Sequence, residues 1–551
     1  MTTAQSQIID SDSPLITVTA GPGSGKTTTL IARIVRLIKD GCMPAEIIAI
    51  TFTNAAAREI EERLSKALGA QTRLGYAGTL HGFLLRLLNQ HGRLIGFRSG
   101  IVVLDDADTE ATLEQLKKAH RWKGTDEALK KQIELGPFNG GGTKEEIIAL
   151  DYYRGIKKSN AISFDGILFY GLELLKKIGV LPYQHLFVDE YQDSGELDAK
   201  IYAAMLIPNR MFIGDSDQSI FGFRGAKPEI MTAQMFSEQG FKAVLEDNFR
   251  CGENICICAS NLISYNADRF PKVTRSATGF DGIVYCREFE NAIAEMNWIA
   301  GEIDRSGKPP ESFAILTRTN AQASELASFI ESVGIRVARK SAKRFPNGYH
   351  QLIALLQFLS DPDNDTFAYK WIALNRNKEA ADKLAQSAAK AFTSLNQMSY
   401  QLAPNISPAM AIFLAPESGI HWESVDLLKL AASKLPATAT ISELACLLNL
   451  EDFSDEAEAK GVTVCTIHKA KGREWENVYM PGFEQGLIPM TSKGADLPEE
   501  RRLAFVGITR AKHNLFLSHC KTRHSQWKGY EQRTPSQFIQ EMKVKNESPV
   551  A

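Results

Sequence analysis

The 551-residue chain is expected to be an α/β protein built on parallel sheets, and three stretches predict this. SPLITVTAGPGSGKTTTLIARIVRLI, residues 13 to 38, runs from an apolar β-branched strand through a Gly-rich turn into a helix with apolar Leu30, Ile31, Ile34, Leu37 and Ile38. YQHLFVDEYQDSG (183 to 195) and RMFIGDSDQ (210 to 218) each carry a short apolar run that ends in an acidic, polar turn. In open α/β sheets the carboxyl ends of the strands are where ligands bind, so these three turns are the first places to look for chemistry.

Length and composition set the limits. A chain of this size exceeds one hydrophobic core and suggests about three or four domains or subdomains. Hydrophobic residues at 44% and charged residues at 23% are ordinary globular usage, without a low-complexity tract or a fixed repeat. The start, MTTAQSQIIDSDSP, lacks the basic-then-apolar pattern of a signal peptide. No run of about 18 uncharged apolar residues occurs, so no membrane partner is expected and the expected location is cytoplasmic. Eight scattered cysteines fit a reducing compartment, and the cluster Cys251, Cys256, Cys258 lacks a nearby fourth ligand for a metal centre. A net charge of −2 rules out a global field that attracts nucleic acid, so any such contact must be local. YYRGIKKSN (152 to 160) and the stretch after Arg510 are locally basic, which a solvated face explains equally well.

The first of the three stretches has the context of a P-loop. Gly21, Gly23 and Gly25 let backbone N–H groups converge on phosphate oxygens, the helix N-terminus adds positive dipole, Lys26 reaches the β and γ phosphates, and Thr27 can ligate Mg2+. Ala20 stands where the usual pattern has its first glycine. A P-loop needs a second carboxylate strand, and Asp189-Glu190 supplies it: Asp189 to hold Mg2+ through water, Glu190 to orient and deprotonate the attacking water. Gln218, at the end of the third strand, is a candidate γ-phosphate sensor.

The resemblance emerges from the remaining motifs in order. They are AGPGSGKT (20 to 27), ITFTNAAAREI (50 to 60), GTLHGF (78 to 83), VDEYQD (188 to 193), GDSDQSIFGFRGA (214 to 226), LEDNFR (245 to 250), ILTRTNAQ (315 to 322), VTVCTIHKAKGREWENVYMPGF (462 to 483) and ERRLAFVGITRAK (500 to 512). Their order and span resemble the superfamily 1A DNA helicases of the UvrD/PcrA/Rep family. The resemblance implies two RecA-like P-loop motor domains with parallel sheets, each carrying a mostly helical insert. The expected boundaries are 1–88 and 172–247 for the first motor, 89–171 for its insert, 248–375 and 456–551 for the second motor, and 376–455 for a shortened second insert.

The same resemblance implies an ATP-dependent motor that moves 3′ to 5′ on single-stranded DNA and acts at single-strand/duplex junctions, with ATP and Mg2+ in the cleft between the motors. Arg250 and Arg510 match the family's two arginines directed at the transferred phosphate. Gln5 matches the adenine-recognising glutamine and Glu474 a nucleotide-contacting glutamate; Ser24, Thr28 and Phe249 fall at nucleotide-binding positions. Phe52, Thr53, Asn54, His81, Phe221, Phe223, Arg224 and His468 match positions that touch single-stranded DNA or couple it to the ATP site. Gln218 and the stacking faces of Phe221 and Phe223 would then share one short segment, and stacking grips any base because every base has a π-face.

The chain departs from the family at several points. Phe221 and Phe223 stand where Tyr and Trp are frequent, and Thr28 stands where an arginine commonly packs on adenine, which loosens the expected nucleotide selectivity. The second insert is about half the usual length, which puts duplex engagement in doubt. A translocase that strips proteins, or one subunit of a repair, replication or defence complex, remains open, as does a DNA-responsive switch. Monomer or weak dimer is the expected state. A P-loop kinase or transporter needs neither GDSDQSIFGFRGA nor VGITRAK.

Overall fold

The computed structural model describes residues 1–69, 72–98, 101–104, 106–135, 142–158, 160–338, 356, 460–491, 495–525 and 529–544. The expected second insert (376–455) and most of the GPFNGGG turn lie outside these.

Leu15–Ala20 is β-branched, apolar and buried along almost its whole length, as an inner strand of a parallel sheet covered on both faces must be. It is the fifth of six strands in the order Tyr76–Thr79, Ile47–Thr51, His185–Val188, Asn209–Gly214, Leu15–Ala20, Phe241–Leu245. Every pairing is parallel. The register sets Thr19 beside Gly214 and Val188 beside Phe212, so the turns that follow these strands open along one edge.

Helices cover both faces of this sheet. On one side Ile8, Leu30, Ile34, Ile60 and Leu64 pack onto Ile16, Val18 and Ile213. On the other, Phe83, Leu84, Tyr170 and Leu174 pack onto Ile48, Ile50 and Val188, and Leu113, Leu129, Ile148 and Tyr152 extend the same core. The helices Asp106–Ala119, Asp126–Leu135 and Lys144–Lys158 therefore share a hydrophobic core with the sheet. The expected edges at 88/89 and 171/172 fall inside the helices Leu80–His91 and Phe164–Ile178.

A second parallel sheet runs in the order Ile283–Asn291, Ala511–Ser525, Trp475–Pro481, Phe313–Thr317, Thr463–Thr466, with Gly529–Gln532 antiparallel on Ala511–Ser525. It too has a core on each face. Two parallel α/β sheets in one chain agree with the expected fold class. No helix among the described residues is long and apolar enough to cross a membrane.

The chain passes between the two sheets more than once. Asp247–Asn248 pairs in parallel with Arg275–Ser276, and between them the helix Glu253–Ile263 packs into the second sheet's core.

Candidate nucleotide site and aromatic ledge

Gly23 and Gly25 have φ of +63° and +77°, the left-handed region that glycine enters without steric cost. A Cβ on Gly23 would lie 2.6 Å from Arg250 Cβ and 2.8 Å from Asn248 Oδ1; on Gly25 it would lie 2.8 Å from Gln5 Nε2. The loop is thus shaped by close neighbours as well as by its turn. Ser24 Oγ donates to Gly21 O (2.7 Å), Gln5 Nε2 donates to Ser24 O (3.1 Å), and Lys26 Nζ reaches Ala20 O (3.3 Å). Thr27 is the second residue of the helix Lys26–Lys39 that follows. Thr28 is exposed, and its hydroxyl accepts from Arg63 Nη1 at 3.3 Å. Phe249 donates its backbone N–H to Gly23 O (2.9 Å) and leaves its ring 51% exposed at the loop's rim.

Asp189 and Glu190 follow the strand His185–Val188 directly. Glu190 takes a left-handed conformation (φ 52°, ψ 40°), costly for a residue with a Cβ and common where backbone strain aims a functional side chain. Its backbone N–H donates to Asp189 Oδ1 at 2.9 Å, and its carboxylate accepts from Gln192 Nε2. Burial, and then the neighbouring Glu190 charge, push the Asp189 carboxyl up despite Lys26. Burial acts the same way on Glu190, but Lys26, Lys471, Gln192 and Arg510 together outweigh it and hold that group low. One carboxyl is left short of positive charge while its neighbour stays a carboxylate. That division suits a cation ligand beside a base.

The donor set fits Mg2+ and a nucleotide triphosphate: hydroxyl and carboxylate oxygens for a hard cation, and a glycine cradle that added Cβ atoms would fill. Buried Asn248 Nδ2 and Asp193 Oδ1 have no protein partner close to this cradle.

Gln218 lies in the short turn after Asn209–Gly214. Its Nε2 donates to Asp215 Oδ2 (2.6 Å), which leaves Oε1 to accept from Arg510 Nη2 (3.3 Å). Arg510 comes from the second half of the chain, at the end of the helix Leu497–Ile508, and is aimed by bonds from Nε to Val506 O and Nη1 to Arg473 O. Burial, with Arg250 nearby, lowers its guanidinium to about 9. Arg250 pairs with Glu474 and reaches Thr509 O at 3.4 Å, while Lys512 holds the other oxygen of Glu474 at 3.1 Å.

A group of rings stands beside this cluster. Phe52 stacks on Phe221 (4.9 Å, 18°), Phe221 meets Phe223 at 6.0 Å, and His468 lies 5.8 Å from Phe223. Arg224 covers both phenylalanines at 5.6 and 5.7 Å. Phe223 is 66% exposed, so its face is open to a partner. Burial first, then Arg318, lowers the His468 imidazole to about 4, so it is neutral near pH 7. The other expected DNA-contacting residues are held locally: Thr53 caps the helix Asn54–Leu68 by accepting from Ala56 N, Asn54 opens that helix, and His81 stacks on Phe164 at 3.9 Å. Burial lowers His81 to about 4.

Sequence reasoning missed the residues that tie ledge to nucleotide site. Lys471 donates to Asp193 Oδ2 (2.5 Å) and Gln218 O (2.9 Å) and lies 5.1 Å from the Phe221 ring centre. Glu499 accepts from Gly222 N (2.9 Å) and Arg502 donates to Ser219 O (2.8 Å), both from the helix Leu497–Ile508 that precedes Arg510. Gln192 accepts from Asp215 N (2.8 Å) and so joins Glu190 to the turn that carries Gln218. Lys471, Arg502 and Gln192 sit inside motifs already quoted, where a charged or amide side chain with no stated role was the available signal.

Comparisons with known proteins identify the family. The model of the UvrD/REP helicase N-terminal domain matches residues 1–237, and that of the UvrD-like helicase C-terminal domain matches 243–403 and 424–522. The chain is similar to the ATP-dependent DNA helicase PcrA of Bacillus subtilis (27% identity, covering 94% of this chain and 82% of the relative). It is also similar to PcrA of Staphylococcus epidermidis (26%; 98% and 86%) and of Leuconostoc citreum (26%; 98% and 84%). With family models spanning both halves, the chain belongs to the UvrD/PcrA/Rep-like superfamily 1A helicases.

Proposed function

We propose that this ATP-hydrolysing DNA helicase moves 3′ to 5′ along single-stranded DNA, with ATP in the cleft between two motors divided near the expected boundaries. The observation that carries the reading is the contact between Gln218 of the first half and Arg510 of the second, beside Glu190.

In this reading the glycine loop and Lys26 bind the phosphates, Gln5 and Phe249 face the base, and Glu474 faces the nucleotide. Thr27 and Asp189 would hold Mg2+, which would supply neutralisation of phosphate charge. Glu190, kept anionic, orients and deprotonates the attacking water. Arg250 and Arg510 meet the developing charge only when the halves close. Bound nucleotide would break Arg250 from Glu474 and draw Arg510 and Gln218 onto the γ-phosphate. Gln218 is four residues from Gly222, so the movement passes into the Phe221–Phe223 ledge, and alternate closure advances DNA by a base at a time.

The test is steady-state ATP hydrolysis with and without single-stranded DNA, on wild type and Glu190→Gln, with strand displacement on 3′- and 5′-tailed duplexes. Stimulation lost in the variant, and displacement from the 3′ tail alone, are expected. Stimulation without displacement would favour a translocase that strips proteins or acts with a partner, the reading suggested by the short second insert. Turnover indifferent to DNA would sink the coupling.

A further inference from the structure

Between the helix Glu253–Ile263 and the strand Arg275–Ser276 the chain doubles back onto the first half as a strap. Its start is tied to the second half: Asn266 donates to Pro498 O (2.9 Å) and accepts from Arg501 (3.2 Å). It then sets Arg269 and Lys272 against the sensor turn. Arg269 grips Asp217 through two bonds, Nε to Oδ1 (3.0 Å) and Nη2 to Oδ2 (2.6 Å). Lys272, with its side chain 1% exposed, donates to Asp215 Oδ1 at 2.6 Å and also to Asp217. Two cations thus face two buried carboxylates.

Asp215 is the pivot. Its Oδ1 takes Lys272 and the backbone N–H of Asp217, and its Oδ2 takes Gln218 Nε2 at 2.6 Å, which turns the opposite end of that amide towards Arg510. Its own N–H is held by Gln192, the residue that bonds Glu190. Without Lys272 a buried carboxylate would lose its counter-charge, and it would take up a proton or turn away, releasing the Gln218 amide. Asn266 ties the same strap to the helix Leu497–Ile508, which ends two residues before Arg510, so the strap links both sides of the cleft.

We propose that Lys272, with Arg269 beside it, is a positioning residue for ATP hydrolysis that acts through Asp215 to orient the Gln218 amide. This rests on the sensor role proposed for Gln218. The measurement is DNA-stimulated kcat and KM for ATP in a cycle of Lys272→Met, Gln218→Ala and the double variant of the full chain, each with a thermal melt. Lys272→Met is expected to lower kcat by about tenfold or more with KM within about twofold, and to change kcat less than about twofold once Gln218 is already Ala. Lys272→Arg, which keeps the charge, should recover part of the loss. Should Lys272→Met fail to fold, Lys272→Gln, which removes the charge and keeps a hydrogen-bond donor towards Asp215, carries the same cycle. An equal loss in both backgrounds, or none in either, would overturn the proposal and leave the strap a folding element. If Gln218→Ala is itself silent, the sensor role falls first and this inference with it.

Discussion

Arg510 Nη2 donates to Gln218 Oε1 at 3.3 Å across 292 positions of sequence, so a side chain from each half of the molecule meets over the site where hydrolysis is proposed. Arg510 is nearly fully buried, its Nε and Nη1 are anchored to backbone carbonyls and Nη2 also donates to Thr509 Oγ1 (3.3 Å), so it is presented in one orientation. Arg510→Lys keeps the charge but loses the planar fork. The expected outcome is a fall in DNA-stimulated kcat of about 10³-fold, the range for an arginine that stabilises phosphoryl-transfer charge, with ATP affinity little changed. Single-turnover hydrolysis beside equilibrium nucleotide binding separates the two.

Glu190 stays anionic through Lys26, Lys471, Gln192 and Arg510 despite its burial. Glu190→Gln keeps the shape and removes the base, so turnover should fall by about 10² to 10⁴ while nucleotide binding persists. A variant with turnover near wild type would give the base to another group.

Phe223 offers an open ring face beside Phe221, under Arg224. Phe223→Ala should retain ATPase without DNA and lose DNA stimulation, with single-stranded DNA bound about 1 to 3 kcal/mol more weakly, the value of one stacked base. Fluorescence anisotropy with a short oligonucleotide reads the affinity. Unchanged stimulation would remove this ring from the coupling path.

Glu499 accepts from Gly222 N at 2.9 Å and thereby holds the ledge to the helix that precedes Arg510. Glu499→Ala frees that contact without touching the nucleotide cradle. Basal hydrolysis is expected to be near wild type, with more single-stranded DNA needed for half-maximal stimulation. Titration of ATPase rate against oligonucleotide concentration measures it.

Glu295, Glu484 and Cys520 come close enough together to look like a metal-ligand set, but Arg523 already pairs with both carboxylates at 2.7 Å. The cluster therefore already faces a protein cation. Arg523→Met would leave two buried carboxylates without their counter-charge and should cost about 3 to 5 kcal/mol of stability, read as a lowered denaturation midpoint.

Local sequence determined the elements that carry the chemistry. The P-loop, the Asp189-Glu190 pair and the Gln218 turn are each specified within a few residues, because glycines at positive φ, apolar β-branched runs and polar strand ends are short-range instructions. The aromatic grouping was legible only in part: Phe221 and Phe223 are near neighbours in the chain, but Phe52 and His468 reach them from distant segments. Tertiary structure alone decided the pairing of Arg250 with Glu474, the bridge of Lys471 from Asp193 to Gln218, and the return of Arg269 and Lys272 to the acidic turn. An ion pair between residues tens or hundreds of positions apart leaves no periodicity and needs no special backbone. The Lys471, Arg269 and Lys272 pairs exist because buried carboxylates of the first half, Asp193, Asp217 and Asp215, meet cations supplied by the second.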